Sequence, residues 1–354
     1  MIDLSAYGWR PALAHSFAAC AERNTEPARI IAHHRGQYRV ITQHGMRAAL
    51  CAGRLRHHPG AEGLPVIGDF VAVRIDAASA TIEAVLPRHS KFARAVGDLT
   101  RTHATQGEQI IAANVDLVFI VTGADGDFSV RRLERLLSAA WGSNAIPHIV
   151  LTKTDLGQAE PLISDLAIAA PGVAVHPVSN LTKAGIANLR ALIGAGQTAL
   201  LVGSSGVGKS SLVNALAETE QQAVQPTDIN GRGRHTTTSR DLIMLQGGGL
   251  VLDTPGIRAI TAWQADGLAD TFGEITLLAS ACRFTDCQHQ NEPGCAITAA
   301  IATGALDARR LRDFHKLSRE QAYLARRDDK RAESAAKRQW KAVSKQARAG
   351  RRLD

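Results

Sequence analysis

The sequence predicts a multidomain protein with three folded parts: an N-terminal β-barrel, a central parallel α/β domain, and a C-terminal Cys/His module with an α-helical tail. Three observations lead to this prediction. Short β-branched segments separated by glycines lie between residues 29 and 86, apolar strands alternate with helical patterns from about residue 110, and strand patterns stop after about residue 270. A length of 354 residues suits two or three domains.

Composition excludes several classes of protein. With 45% hydrophobic residues and no apolar run long enough to cross a bilayer, the chain is neither disordered throughout nor a helical membrane protein. The N-terminus lacks the pattern of a secretory signal, and five cysteines do not indicate a disulfide framework. We therefore expect a cytoplasmic protein with no membrane partner.

The barrel is predicted over residues 29–100, after an N-terminal extension of residues 1–28. Five strand-like segments read RIIAHH, YRVITQ, AALCAG, DFVAVRID and TIEAVL, with turn residues between them. Five short strands are typical of the oligonucleotide-binding (OB-like) barrel. Within the extension, a helix with Trp9 and Phe17 packed inward is expected.

The α/β domain is predicted over residues 101–268. Continuous apolar runs indicate strands buried on both faces, and their alternation with helical patterns indicates a parallel sheet. The expected strands lie within 115–121, 147–155, 173–179, 198–203 and 249–256, and the expected helices within 130–142, 185–193 and 211–218.

The strongest local motif is a phosphate-binding loop between the strand at 198–202 and the helix at 210–217. Glycines in such a loop let backbone N–H groups surround phosphates at the positive end of the helix dipole. Lys209 is expected to reach the β- and γ-phosphates, and the Ser210 hydroxyl to bind Mg²⁺. An incidental glycine turn is the alternative. The predicted phosphate-binding residues are Gly203, Ser204, Ser205, Gly206, Val207, Gly208, Lys209, Ser210 and Ser211.

Guanine is indicated as the base by Thr152, Lys153 and Asp155, which end another predicted strand. The Asp155 carboxylate can accept hydrogen bonds from N1–H and the N2 amine of guanine, and adenine offers neither donor. Ser179 follows the next strand, where a backbone amide could contact the guanine carbonyl oxygen. The first segment alone would also fit a surface turn, but the two segments together favour guanine.

Two further loops are predicted to complete a Mg²⁺–triphosphate site. Asp253 ends a strand and is placed to hold Mg²⁺ through water, and the N–H of Gly256 to contact the γ-phosphate. In the loop 228–238, a threonine such as Thr236 or Thr237 could close on Mg²⁺ and the γ-phosphate, as in a switch loop. A polar solvated loop is the alternative.

These motifs resemble those of the circularly permuted GTPases, because Thr152-Lys153-Thr154-Asp155 and Ser179 precede the phosphate loop instead of following it. With the barrel before and the Cys/His cluster after, the chain is similar to the small-subunit-dependent ribosomal GTPases (RsgA/YjeQ type) from about residue 29 to 320. The resemblance implies GTP hydrolysis to GDP stimulated by the small ribosomal subunit and its rRNA, late in the maturation of that subunit. A monomer is expected.

Hydrolysis requires a residue that orients the attacking water. Ile257 follows Gly256, and its aliphatic side chain cannot orient water. His235 lies just before the threonines of the loop 228–238 and matches the family's GRHTTT stretch, so His235, Lys209 and Thr237 form the expected catalytic set. A histidine contacting rRNA or solvent is the alternative role for His235.

A metal-binding pattern, Cys282-x₄-Cys287-x-His289-x₅-Cys295, lies in a module predicted over residues 269–320. Three thiolates and one imidazole complete a tetrahedral Zn²⁺ shell with no open position, so one structural zinc ion is expected. The spacing also resembles that of the family's zinc module. A reduced cysteine cluster without metal is the alternative.

Positive charge is concentrated near the C-terminus. The formal net charge is +8, but residues 309–354 contain 16 Lys and Arg against 6 Asp and Glu, so they carry +10 and the rest of the chain −2. The predicted basic helical tail, residues 321–354, includes Trp340 among cations, which favours rRNA phosphate binding with one stacking ring. A solvated helix without a partner is the alternative.

Two other functions are compatible with the sequence. One is an RNA-binding assembly scaffold for which nucleotide is a structural ligand and turnover is negligible, and Ile257 keeps this hypothesis open. The other is an ATP-dependent nucleic-acid enzyme, which Asp155 disfavours.

Overall fold

The computed structural model describes residues 1–20, 24–34, 36–57, 62–76, 79–95, 108–125, 128–157, 159–218, 240–253, 266–290, 292–323 and 326. The chain divides into two compact units, one of residues 1–94 and 110–271 and the other of residues 95–109 and 272–354. The barrel strands and the strands of the α/β sheet belong to the first unit, and the cysteine cluster belongs to the second.

The N-terminal segment contains a 3-10 helix at Leu4–Tyr7 and the helix α1 (Pro11–Cys20). The 3-10 helix begins after Asp3, whose carboxylate accepts the Ser5 N–H at 2.8 Å. Trp9 packs edge-to-face on Phe17 and Phe70, with ring centroids 6.3 and 5.5 Å apart. Both rings are partly buried against the barrel, as expected, but Trp9 precedes the helix and only Phe17 lies on it.

A closed five-stranded barrel follows, as predicted. Its strands are β1 (Thr25–His34), β2 (Gln37–Thr42), β3 (Gly45–Cys51), β4 (Phe70–Asp76) and β5 (Ser79–Val85), and α2 (Gly53–His57) follows β3. β1 pairs antiparallel with both β2 and β4, and β3 pairs parallel with β5, which closes the sheet. β1 begins at Thr25, before the expected position 29, because residues 25–29 pair with β4.

A six-stranded sheet forms the α/β part of the first unit. A separate two-stranded sheet of β6 (Lys91–Ala95) and β7 (Glu108–Ala113), which the sequence did not predict, precedes it. The six strands are β8 (Leu117–Gly123), β9 (Ile146–Thr152), β10 (Val175–Pro177), β11 (Thr198–Gly203), β12 (Arg240–Met244) and β13 (Leu250–Asp253). Their order is β10-β9-β8-β11-β13-β12, and only β12 is antiparallel. The carboxyl ends of the five parallel strands therefore share one edge, where the predicted motifs begin.

Helices cover both faces of this sheet. They are α3 (Val130–Trp141), α4 (Ala159–Ala169), α5 (Ile186–Ala191), α6 (Lys209–Ala217) and α7 (Asp266–Thr271). Alternate residues of β11 serve the two faces: Leu200 and Val202 lie in one apolar cluster, and Ala199 and Leu201 in the other. All four are fully buried, as expected for a strand covered on both sides.

The barrel and the α/β sheet are continuous within the first unit. β1 pairs with β12 through Ala32 opposite Asp241 and His33 opposite Arg240. The exposed side chain of Arg39, on β2, forms a 3.0 Å ion pair with Asp241. One sheet of eleven strands therefore runs from β10 to β4.

The second unit contains α8 (Gly273–Ala279), α9 (Ala296–Ala302) and a helix over residues 308–323. Arg310 joins two of these elements, because its guanidinium forms a 2.6 Å ion pair with Glu274 and lies 4.4 Å from the ring centroid of Phe272. Most of the predicted basic tail, including Lys337, Arg338, Trp340 and Lys341, lies outside the described residues.

Within the described ranges, no helix combines the length and apolar character that crossing a bilayer requires.

Candidate nucleotide-binding site and metal centre

The phosphate loop joins β11 to α6, as its pattern predicts. Gly203, Gly206 and Gly208 have positive φ angles of 153°, 86° and 94°. A Cβ atom on Gly203 would lie 2.3 Å from the Val121 carbonyl oxygen of the neighbouring strand β8, so only glycine fits there. The loop can therefore turn tightly between strand and helix, which places backbone N–H groups at the N-terminus of α6.

Lys209 lies inside this loop. Its side chain is nearly buried, with 7% of the residue exposed, and its Nζ donates to the carbonyl oxygens of Gly203 at 3.0 Å and Ser204 at 2.5 Å. These contacts hold the ammonium group against the loop, where it can pair with phosphate oxygens.

The residues predicted to recognise guanine lie beside the phosphate loop. Thr152 is the last residue of β9, and its hydroxyl donates to the Val207 carbonyl oxygen at 2.7 Å. Lys153 donates from Nζ to the Gly206 carbonyl oxygen at 3.1 Å and forms an ion pair with Asp125. The segment predicted to recognise the base and the phosphate loop are thus in direct contact.

Ser179 and Asp155 form the hydrogen-bonded part of this region. The Ser179 hydroxyl donates to Oδ1 of Asp155 at 2.6 Å and also accepts the Thr182 N–H at 3.1 Å. The first bond orients the Asp155 carboxylate, and the second fixes the loop that follows β10. A carboxylate held in one orientation suits recognition of two adjacent N–H donors.

Ser210 and Asp253 supply oxygen atoms near the other side of the loop. The Ser210 hydroxyl donates to Oδ2 of Asp253 at 3.4 Å, and Asp253 is 1% exposed at the end of β13. Because β11 and β13 are adjacent parallel strands, these two side chains meet at the same edge of the sheet. Hydroxyl and carboxylate oxygens are the ligands that Mg²⁺ prefers, so this donor set fits the ion.

Several predicted site residues lie outside the described residues. These are His235, Thr236 and Thr237 in the loop 228–238, together with Gly256 and the neighbouring Ile257. Their roles stay predictions.

Three residues at this site were not predicted from the sequence: Asp125, Arg132 and Asn180. Asp125 pairs with Lys153, Arg132 donates to the Ser204 hydroxyl, and Asn180 donates to the Gly208 carbonyl oxygen at 3.2 Å. Each contact joins segments between 28 and 72 residues apart in sequence. Only for Asn180 was there a signal, its position directly after Ser179.

A Cys₃His cluster in the second unit contains all four residues of the predicted metal site, whose ligand atoms lie within 4.8 Å of one another. The Nδ1 atom of His289 lies 3.6 Å from Sγ of Cys282 and 3.7 Å from Sγ of Cys295. The two sulfur atoms are 3.9 Å apart. Tetrahedral Zn²⁺ would set about 3.8 Å between sulfurs and about 3.6 Å between sulfur and nitrogen. The three separations match those of a tetrahedral metal shell, and the fourth ligand atom, Sγ of Cys287, lies within 4.8 Å of the others.

Cys295 is also the N-cap of α9. Burial raises the pKa of its thiol, but hydrogen bonds from Thr298, His289 and Cys287 together lower this pKa to about 6. Burial and the neighbouring thiols raise the pKa of Cys287 to about 11, so one thiolate of the cluster is favoured at the expense of another. The Thr298 N–H lies 3.5 Å from Sγ. Stabilisation of the thiolate suits a metal ligand, because thiolates bind zinc and thiols do not.

Comparison with known proteins gives one consistent result. Residues 85–263 match the family model described as RsgA GTPase. The chain is 42% identical to the small ribosomal subunit biogenesis GTPase RsgA of Opitutus terrae, over 100% of this chain and 99% of that protein. It is 41% identical to the protein of the same name from Streptomyces coelicolor, over 96% of this chain and 92% of the relative.

Two solved structures are similar in fold. YjeQ from Thermotoga maritima has a TM-score of 0.62 at 25% identity, covering 84% of this chain and 99% of that one. YloQ, described as a circularly permuted GTPase, has a TM-score of 0.58 at 24% identity, covering 86% of this chain and 97% of that one. In this chain, β8, β9 and β10 precede the strand that enters the phosphate loop.

Proposed function

The chain belongs to the RsgA GTPase family, and from this membership we propose that it hydrolyses GTP on the small ribosomal subunit during a late step of that subunit's maturation. The observation that carries the proposal is the meeting of two recognition elements at one edge of the sheet. Thr152 and Lys153, beside the predicted guanine reader Asp155, contact the phosphate loop directly. One bound nucleotide can therefore contact both the predicted guanine-binding residues and the phosphate loop.

In this proposal, the first unit binds GTP in an extended manner across the edge of the sheet. The Asp155 carboxylate, oriented by Ser179, accepts the N1–H and N2 amine of guanine. Lys209 and the N–H groups of the phosphate loop surround the β- and γ-phosphates. Ser210 and Asp253 would hold Mg²⁺, which when bound would supply positive charge to the β- and γ-phosphates.

Hydrolysis proceeds by in-line attack of water on the γ-phosphate. His235 orients this water, since Ile257 cannot, and Thr236 or Thr237 closes the switch loop on Mg²⁺ and the γ-phosphate. The triphosphate orders the switch loop and favours the docked state, and relaxation of the loop after hydrolysis releases the protein from rRNA.

The outer face of the barrel supports docking on RNA. On β3, Met46 and Leu50 are 61% and 52% exposed, with the small Ala48 between them. Arg39 lies opposite Ala48 on β2, and its side chain is 61% exposed. An exposed apolar strip flanked by a guanidinium suits apolar contact with unpaired bases beside a phosphate backbone.

The Cys₃His cluster holds one structural Zn²⁺ in this proposal. Its support is the donor set of three sulfurs and one imidazole, which leaves no open position at a tetrahedral ion. Reduced thiols require a reducing compartment, so the protein acts in the cytoplasm. We expect it to act there as a monomer.

Single-turnover GTP hydrolysis with and without small ribosomal subunits tests the proposed function. We expect subunits to accelerate hydrolysis by the unaltered protein. His235→Ala should lower the stimulated rate by about 10²-fold or more while GTP affinity stays within about twofold, because the residue acts on water and not on the nucleotide. His15→Ala, at an exposed position of α1, is the matched control and should behave as the unaltered protein.

Two other results would contradict the proposal. Equal losses of rate and affinity in His235→Ala, or no loss of either, would reject the role of His235. Negligible hydrolysis with and without subunits would instead indicate a scaffold that binds nucleotide as a structural ligand.

A further inference from the structure

Three successive carbonyl groups of the phosphate loop are each held by a side chain from outside the loop. The pairs are Lys153 Nζ with the Gly206 oxygen at 3.1 Å, Thr152 Oγ1 with the Val207 oxygen at 2.7 Å, and Asn180 Nδ2 with the Gly208 oxygen at 3.2 Å. Thr152 and Lys153 come from the end of β9 and its following residue, whereas Asn180 comes from the loop after β10.

This arrangement orients the peptide groups of the loop. No peptide bond described in the chain is cis, so each N–H points opposite to the carbonyl of the preceding residue. Tethers on three carbonyls therefore turn the N–H groups of Val207, Gly208 and Lys209 away from the tethering side chains. N–H groups so directed, at the start of a helix, are the donors that bind phosphates.

The hydrogen bond from Asn180 completes the set of partners of the Gly208 carbonyl oxygen. The Gly208 oxygen also accepts the Leu212 N–H at 2.8 Å, so the helix bond and the Asn180 bond together use both lone pairs of this carbonyl. A carbonyl acceptor requires the amide nitrogen of Asn180 to face it. Oδ1 of Asn180 is buried and accepts no hydrogen bond from the described residues, so the contact with Gly208 alone sets the orientation of the amide.

Asn180 also lies directly beside the residues that orient the guanine-reading carboxylate. It follows Ser179, whose hydroxyl donates to Asp155 at 2.6 Å, and the Val178 carbonyl oxygen accepts the Thr154 N–H at 3.4 Å. A displacement of this loop would therefore move both the Ser179–Asp155 bond and the tether on Gly208.

We propose that Asn180 is a positioning residue that couples guanine recognition to phosphate binding, by tying the loop of Ser179 to the last peptide of the phosphate loop. The inference rests on the proposed function, because it takes GTP as the ligand of this site. The role of Asn180 is independent of the proposed mechanism of hydrolysis, because the residue acts through the Gly208 carbonyl group.

Two variants of Asn180 test the tether. Asn180→Ala removes one neutral hydrogen bond and should weaken GDP and GTP binding three- to tenfold. Asn180→Asp keeps the size of the side chain but places a carboxylate oxygen against the Gly208 carbonyl and near the phosphates, so it should weaken binding at least 30-fold. Asn24→Asp is the matched control, because it introduces the same charge at an exposed position before β1, outside the site.

The measurements are the dissociation constants of fluorescent GDP and GTP with Mg²⁺, and the melting temperature without nucleotide. Loss of one neutral hydrogen bond should lower the melting temperature of Asn180→Ala by only a few degrees, so the variant stays folded at the temperature of the binding measurement. In the background of Asn180→Ala, the affinity loss caused by Asp155→Asn should be smaller than in the unaltered protein, because a coupled pair is not additive.

Affinities within twofold of the unaltered protein for both Asn180 variants would overturn the proposal. So would affinity losses confined to variants that are partly unfolded at the temperature of the binding measurement, because these indicate a folding role. A failure of the unaltered protein to bind GDP or GTP would reject the proposed function itself, and this differs from every outcome in which only the variants change.

Discussion

Arg29 is a cation buried within the first unit, with 1% of its surface exposed. Its guanidinium donates to four oxygens: those of Tyr7 at 2.5 Å, Gly68 at 3.2 Å and Asn114 at 3.0 Å, and Oγ1 of Thr198 at 2.8 Å. Burial lowers the pKa of Arg29 to about 10, although Asp116 and Asp69 favour its charge. The residue is therefore a cation at neutral pH, and its hydrogen bonds join the N-terminal segment, the barrel and β11.

We predict that Arg29→Met lowers the free energy of unfolding by about 3–5 kcal/mol, because it leaves several buried oxygens without a donor. Arg29→Lys should show an intermediate loss, since an ammonium group cannot reproduce the planar fork. Urea unfolding measures both. Arg39→Met removes an exposed arginine and should cost about 1 kcal/mol or less. Equal losses at positions 29 and 39 would contradict the role of Arg29.

Asp155 carries the choice of base in the proposed site. Asp155→Asn replaces an acceptor with a donor against guanine N1–H, whereas xanthine offers a carbonyl oxygen in place of the N2 amine. We predict that the variant loses GDP affinity by about 10²-fold and gains affinity for xanthosine diphosphate. Competition binding with the two diphosphates measures this exchange. Unchanged selectivity would remove Asp155 from the base site.

At the scale of elements, β9 and β10 are joined by a histidine pair as well as by backbone bonds. Nδ1 of His148 lies 3.0 Å from Nε2 of His176, and the ring of Phe119 packs edge-on to His148 at 5.9 Å. Burial lowers the pKa of both histidines, and the proximity of His176 lowers the pKa of His148 further. The folded protein therefore favours the neutral pair.

This pair makes stability depend on pH in a defined direction. Because the folded pKa values lie below the usual value of about 6.5, the contribution of the pair is complete above that pH and is lost as the pH falls below it. We predict that His176→Gln loses less stability than the unaltered protein between pH 7 and pH 5. Urea unfolding at several pH values measures the difference.

His15→Gln is the control for this experiment, since His15 is exposed on α1. Its stability should follow pH as in the unaltered protein. Parallel curves for all three proteins would show that the pair makes no contribution.

The Cys₃His element should depend on its metal. We predict about one zinc ion for each purified chain, and its loss in Cys282→Ser, because three remaining ligands leave the tetrahedral shell incomplete. Because metal binding and folding are coupled in such modules, loss of zinc should make residues 272–323 sensitive to protease. Cys51→Ala, in the barrel, is the control and should retain zinc. Equal zinc content in both variants would contradict the assignment.

Elements with a strong local pattern were predictable, and those that depend on distant pairing were not. The apolar runs at β8, β9 and β11 and the glycines of the phosphate loop have local causes, so the sequence indicated both. β6 and β7 have no such pattern, and the early start of β1 follows from its pairing with β4. Asp125 and Arg132 reach the site only through tertiary contacts, which a single sequence does not reveal.

At the scale of the whole molecule, charge is separated from the chemistry. The residues that contact the phosphate loop lie in the part of the chain whose net charge is −2, and residues 309–354 carry +10. Within that stretch, residues 327–354, which lie outside the described residues, contain 10 Lys and Arg against 4 Asp and Glu. A segment with this excess can add RNA affinity without altering the nucleotide site, because phosphate contacts do not require the GTPase fold.

We therefore predict that affinity for small-subunit rRNA falls with salt as expected for about six phosphate contacts, with a slope of log affinity against log salt of roughly −4 to −5. Replacing Lys337, Arg338 and Lys341 with Gln should reduce the slope by about two to three while GDP affinity is unchanged, because each cation accounts for about one contact. Lys183→Gln, a single cation before α5, should leave the slope unaltered. A slope near zero in the unaltered protein, or the same slope in the triple variant, would mean that the charge of the tail does not serve docking.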